Sequence, residues 1–250
     1  MIPAESLLPT SSLVLGAAAI LIAFIVRGFT GFGAALIAIP LLALVLDFKQ
    51  VVLVVGVLSI INGVSMTLAV RGECDRKEIG PLFGGFLVGM ALGVAALLYL
   101  PAPVLKRAFG LFVALFALRL LLVQTEAVGK RWPAWGGWVA GVCSGITGGM
   151  FGASGPPAVI YLYHRLQSPQ VLRATVIVYF LAGDVARLGT YAAAGAITLP
   201  VLWASLWLVP SSFIGTWIGS GLQRRASPAF FRAVVAATLV VTGVLFAVGK

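Results

Sequence analysis

The sequence predicts an all-α integral membrane protein of about ten helical segments arranged as two five-segment inverted repeats. Three observations predict it: scarce charge, apolar runs recurring along the whole chain, and one Gly/Pro-rich motif that occurs once in each half. Of the 250 residues, 61% are apolar and only 10% charged, where a soluble domain carries roughly a quarter charged residues. No polar shell can be assembled from this material, so lipid must cover most of the surface. The stretch 1–250 fits a single membrane domain and leaves no length for a separate soluble one.

Apolar runs fall at about 11–26, 33–46, 51–70, 79–100, 103–123, 135–147, 156–166, 171–197, 199–222 and 229–249. A helix needs ~20 residues to cross the hydrocarbon. Most runs reach that length, but the first, second, sixth and seventh are short. Gly-rich turns join the short ones, Gly28 to Gly33 and Gly145 to Gly155. Segments 1/2 and 6/7 are therefore expected to form short hairpins. Such interrupted segments, at corresponding places in two halves, point to a transporter's binding region.

The halves correspond in order. GFTG at Gly28–Gly31 matches GITG at Gly145–Gly148, and Pro40 matches Pro157 at the same offset. Gln50-Val51 then matches Gln170-Val171, Gly63 matches Gly183, Gly89 and Gly93 match Gly215 and Gly219, and Lys106 matches Arg232. Repeat one covers about 11–123 and repeat two about 135–249. Five segments per half is an odd number, so the second half enters the membrane upside down.

Charge orients the chain. With the N-terminus outside, the cytoplasmic connections hold Arg71, Arg76, Lys77, Lys130, Arg131, Arg165, Arg224 and Arg225, and the external ones hold Lys49, Lys106, Arg107 and Lys250. The positive-inside bias favours both termini outside. Glu5, with no basic region around it, predicts that no signal peptide is cleaved. The net charge of +10 is spread singly and in pairs between apolar runs, unlike a nucleic-acid footprint. Cys74 and Cys143 form no CxxC pattern, and with His164 the only histidine no zinc site is expected. No cofactor is expected either.

Backbone amides in hydrocarbon must be paired, so irregular backbone at depth belongs inside protein or beside a wet cavity. The run Ser144–Gly149 is expected to break its helix and free such amides, and half-helix N-termini there favour an anion. Two hairpins entering from opposite sides would bring their tips together near the midplane. The candidate anion-binding residues are Arg27, Thr30, Gly31, Ser144, Thr147, Gly148, Ser154 and Arg187. Thr30 and Thr147 are repeat-related and could offer hydroxyls from both sides. The competing reading is close helix packing, with the hydroxyls bonded to their own backbone. Arg27 either faces the site or snorkels to a headgroup. Asp184 is the one carboxylate well inside an apolar run and so the candidate proton carrier. It lies three residues from Arg187, close enough to pair on one helix face. Arg173 opens the eighth segment and reads as an anchor at its end. Gly85, Gly89 and Gly93, and likewise Gly215 and Gly219, read as close-packing positions.

The segments GFTGFGAALIAIPLL and GITGGMFGASGPPAVIYLY, one per half, resemble the TauE/SafE sulfite exporter family over nearly the whole chain. The resemblance implies export of sulfite, sulfonates or related organosulfur or carboxylate anions through the bacterial cytoplasmic membrane. The residues alone reach only a small anionic solute, carried by rocking of one repeat against the other. Two rival classes remain. A passive anion channel would share the repeats and the positive lining. An intramembrane enzyme could use the GxSG of Gly152–Gly155, but its serine needs a nearby base, and His164 lies ten residues of helix, about 15 Å, from Ser154.

Overall fold

The computed structural model describes residues 10–43, 46–70, 73–122 and 132–223. Among these residues the fold is all helical, with α1 at Thr10–Thr30, α2 at Ala34–Leu42, α3 at Phe48–Ala69, α4 at Arg76–Tyr99 and α5 at Ala102–Leu122. Then follow α6 at Trp135–Phe151, α7 at Gly155–Arg165, α8 at Pro169–Ala193 and α9 at Leu199–Gln223. The expected last segment, 229–249, lies outside the described residues. Helices α3, α4 and α9 are each long and apolar enough to cross a membrane. The 22 residues of α3 rise about 33 Å.

Local signals set several boundaries. Asp47 caps α3 by accepting from the amides of Lys49 (2.9 Å) and Gln50 (3.3 Å), and Asp75 caps α4 through Lys77 N (2.9 Å). Pro169 opens α8 behind Ser168, whose hydroxyl accepts from Val171 N.

The two short-helix pairs break later than expected. α1 runs on through Arg27 and the GFTG motif to Thr30, 21 residues in all. α6 likewise continues straight through Ser144–Gly149 and ends only at Phe151. The breaks fall where glycine takes the left-handed region: Gly31 and Gly33 at φ 87° and 89°, and Gly152 at φ 69°. The expectation that Ser144–Gly149 breaks its helix is thus corrected. Those glycines are used for packing, not for bending. A Cβ on Gly145 would strike the carbonyl of Phe86, and one on Gly89 the carbonyl of Val142, so α6 lies backbone to backbone on α4. The same contact joins α1 to α9, where Gly28 faces the carbonyl of Thr216 and Gly219 that of Ile25.

Between these pairs, α3 and α8 pack on each other, α3 also against α9 and α8 also against α4. α5 closes one flank with Phe109, whose ring lies 5.2 Å from Phe151 and 6.2 Å from Phe48. The surface inverts the soluble pattern. Leu87, Val88, Leu92, Leu111, Leu115, Leu206, Trp207 and Trp217 are exposed, while Arg27, Asn62, Ser144, Asp184, Arg187, Ser212 and Thr216 are buried. Contiguous exposed apolar surface of this kind faces lipid.

Cross-links also sort the connections into two ends. Lys49 Nζ donates to the carbonyl of Leu98 near the end of α4. At the opposite end of α4, Glu78 accepts from Arg165 and Tyr161, and Arg165 also donates to the carbonyl of Trp132.

Candidate functional site

The centre of the site is a buried charge cluster. Arg27, in the last turn of α1, is 7% exposed, Asp184 is 5% and Arg187 is 2%. Asp184 Oδ1 accepts from Arg187 Nη2 at 2.7 Å, the expected pairing three residues along α8. Asp184 Oδ2 takes a second, longer contact of 3.4 Å from Arg27 Nη2. Arg27 is held in turn by α3, through Ser59 Oγ (3.0 Å) and the Ser59 carbonyl (3.2 Å). Arg187 Nη1 donates to the Gly148 carbonyl at 3.2 Å, tying α8 to α6. Two guanidiniums therefore share one carboxylate, which leaves an excess of positive charge where water is scarce. Ser59 and Asp184 both lie in the middle part of their helices, away from either end. Arg27 does not snorkel. Its Nε is buried and has no hydrogen-bond partner among the described residues.

Beside this cluster lies a small cavity of about 20 Å³, room for little more than one water molecule, which opens outward through a wider mouth. Phe32, Gly33, Ala34, Ala35 and Leu36 line it from the first break, and Gly152, Ala153, Ser154, Gly155 and Pro156 from the second, with Arg27, Phe180 and Asp184 completing the wall. The first turns of α2 and α7 thus meet at one chamber. They are not equal donors. In α2 the first helical residues, Ala34 and Ala35, carry N–H groups that no acceptor inside the helix can reach. In α7 the corresponding turn reads Gly155-Pro156-Pro157, and two of those three residues have no N–H to offer.

The other candidates stand behind the wall. The Thr30 hydroxyl donates to the carbonyls of Val26 and Phe32 and accepts from Phe32 N at 3.0 Å, closing the first turn. The Thr147 hydroxyl donates to Cys143 O and Ser144 O within α6. Ser144 donates to the Ser154 carbonyl at 2.7 Å and accepts from Tyr179 OH at 2.8 Å, closing the second turn. Gly148 offers its carbonyl to Gly152 N (2.7 Å) as well as to Arg187. Gly31, left-handed, packs toward Ile177 and Arg173. Of the candidates, only Arg27, Ser154 and Asp184 line the chamber. Arg173 differs from its reading as an end anchor: its Nη2 donates to the Gly28 carbonyl at 3.0 Å, so it joins α8 to α1. His164 stacks on Trp132 with ring centroids 5.0 Å apart, at the far end of α7 from Ser154.

Sequence reasoning missed Ser59, Tyr179 and Tyr191, the last of which donates from α8 to the Gly149 carbonyl. A signal existed for two of them. By the offset that relates Gly63 to Gly183, Ser59 and Tyr179 are matching positions. Each ties its helix to the residue directly before the GFTG or GITG motif, Arg27 in one case and Ser144 in the other. Among the described residues, no group of three or more His, Cys, Asp and Glu could hold a metal.

Comparison with known proteins gives one family. The family model described as Sulfite exporter TauE/SafE matches residues 15–246. A relative from Cupriavidus necator, named probable sulfite/organosulfonate exporter TauE, is 28% identical over 220 residues, 86% of this chain and 85% of the relative. No solved structure matches.

Proposed function

We propose that this chain, a membrane transporter that belongs to the sulfite exporter TauE/SafE family, carries a small organosulfur anion such as sulfite or a sulfonate outward through the cytoplasmic membrane. One observation carries the reading: a small cavity walled by two helix starts and by a buried arginine whose Nε has no partner among the described residues. An excess cation in such a place attracts a counter-ion, because few waters are present to screen it. The anion lies on the α1/α2 side, where Arg27 and the amides of Ala34 and Ala35 converge. From the other hairpin, Ser154 contributes its hydroxyl and α7 its positive end. Gly31, Thr30, Ser144, Thr147 and Gly148 shape the two turns, and Arg187 holds Asp184.

The chain is read as two inverted repeats, about 11–123 and 135–249, with both termini outside. In support, the matched glycines pair α1 with α9 and α6 with α4 by the same backbone contact. Arg76, Lys77 and Arg165, assigned to the cytoplasm by charge, all lie toward the end of α4 opposite Lys49, which is assigned outside. Transport then proceeds by rocking of one repeat against the other around the fixed anion. Asp184, the carboxylate of the cluster, is also proposed as the carrier of a coupled proton. Asp184→Asn should then abolish the pH dependence of flux, and an unchanged dependence removes that role.

The substrate is tested by a thermal-shift screen of purified protein against sulfite, sulfate, sulfonates, thiols and carboxylates. A true substrate at 100 times its dissociation constant stabilises by ~2.7 kcal/mol; no shift with any anion overturns the reading. Counterflow in proteoliposomes separates the mechanisms. A carrier saturates and is stimulated by anion on the opposite side, whereas a channel conducts in proportion to driving force.

A further inference from the structure

We infer that Asp184 is a built-in stand-in for the transported anion, holding Arg27 when the chamber is empty and yielding it when the anion arrives. The inference rests on the anion-binding reading above and adds how occupancy is sensed. The two contacts of Asp184 are unequal. The one to Arg187 is short, 2.7 Å, and lies within α8. The one to Arg27 is 3.4 Å, long for a charged pair, and crosses from α8 to α1. Arg27 thus meets its carboxylate at the limit of hydrogen-bond range while its Nε goes unused. An oxyanion in the chamber can offer Arg27 a closer partner and also reach the amides of α2. Both anions then sit against one buried guanidinium, where like charges repel strongly, so they compete.

The competition has a mechanical consequence. The contact that the anion replaces is an ion pair joining the first hairpin to α8. Arg173 donating to the Gly28 carbonyl is a second link between them. Loss of the ion pair loosens α1/α2 from α8, while Tyr179, Tyr191 and Arg187 keep α6 fastened to α8. Binding therefore loosens the first hairpin, which Arg173 still tethers, and not the second.

Two substitutions give opposite signs. Asp184→Asn removes the competitor's charge, so purified protein should bind ³⁵S-sulfite about tenfold more tightly, the worth of one charged hydrogen bond. Its counterflow should be slower than wild type, because the anion is harder to release. Asp184→Glu lengthens the carboxylate toward Arg27 and should weaken sulfite binding several-fold. A merely structural aspartate would lower affinity in both, and that result overturns the inference, as does equal affinity in all three proteins. Failure of the wild type to bind sulfite or any sulfonate removes the anion reading first. Where Asp184→Asn is not recovered folded, infrared spectroscopy of wild type decides. The chain has only three aspartates, two of them helix caps at Asp47 and Asp75. With ¹³C-aspartate, sulfite addition must shift one carboxylate band that is absent from Asp184→Glu at the same frequency. An unaltered spectrum overturns the proposal.

Discussion

The two hairpins, α1/α2 and α6/α7, share a backbone plan and differ in what fastens them. Each has a long helix lying on a partner through glycine, a left-handed glycine at the break, and a short helix starting at the chamber. The residue before the shared motif is Arg27 in one and Ser144 in the other. Ser144 closes its own hairpin through the Ser154 carbonyl and is reached by Tyr179, so neutral hydrogen bonds hold that turn. Arg27 instead reaches outward, to Ser59 on α3 and to Asp184 on α8. The short helices differ in the same sense, since α2 begins with alanines that carry N–H groups and α7 begins with Pro156-Pro157. One hairpin thus carries its own charge and two free helix amides; the other brings only the Ser154 hydroxyl and a proline-blocked helix start to the cavity, and is bolted down. The proposed repeat would supply this frame twice, and on the anion-binding proposal the difference between Arg27 and Ser144 makes one copy the reader of charge and the other its support.

Where the hairpins are alike, they should respond alike, and this gives the largest effect. Gly28→Val and Gly145→Val each drive a side chain into a neighbouring backbone carbonyl that cannot yield. Both should lose about 3 kcal/mol or more in detergent unfolding. Loss in only one would show that the two pairings are not equivalent. Where the hairpins differ, the responses should part. Arg27→Ala breaks a buried pair but leaves Asp184 its contact with Arg187. It should therefore destabilise by about 3 kcal/mol, the low end for such pairs, and weaken anion binding by at least tenfold. Ser144→Ala removes two neutral hydrogen bonds, worth about 1–2 kcal/mol, and should leave affinity within a few-fold of wild type. Equal losses of affinity in these two variants would erase the distinction. Thr147→Val comes last. Its hydroxyl bonds only carbonyls of its own helix, so both stability and affinity should move by ~0.5 kcal/mol or less. A large fall in affinity would place that hydroxyl on the anion.

Much of this frame was legible in the sequence, and the reason is physical. A membrane forces apolar length and tolerates irregular backbone only where protein covers it, so composition, run lengths and glycine-proline turns are strong signals. Asp184 with Arg187 was legible because helical spacing alone brings them together. The position of the breaks was not, because a glycine that bends a helix and a glycine that lets another helix approach look the same in sequence. Only the neighbouring backbone of α4 and α9 distinguishes Gly145 and Gly28 from Gly152 and Gly33. Long-range partners were hidden for the same reason. Nothing along the chain tells Arg27 that Asp184, 157 residues away, will face it. Nor does a short apolar run reveal that α1 continues past a charged residue, since the continuation depends on Asp184 and Ser59 being there to receive the guanidinium.

The most direct measurement of the central claim is isothermal titration of the best-binding organosulfur anion into purified wild type and Arg27→Ala. Both proteins would be verified as folded at the titration temperature. An anion seated against Arg27 and the start of α2 predicts saturable binding to wild type and affinity at least tenfold lower in the variant. Equal affinity in the two proteins would contradict the account and send the search for the anion to another part of the molecule.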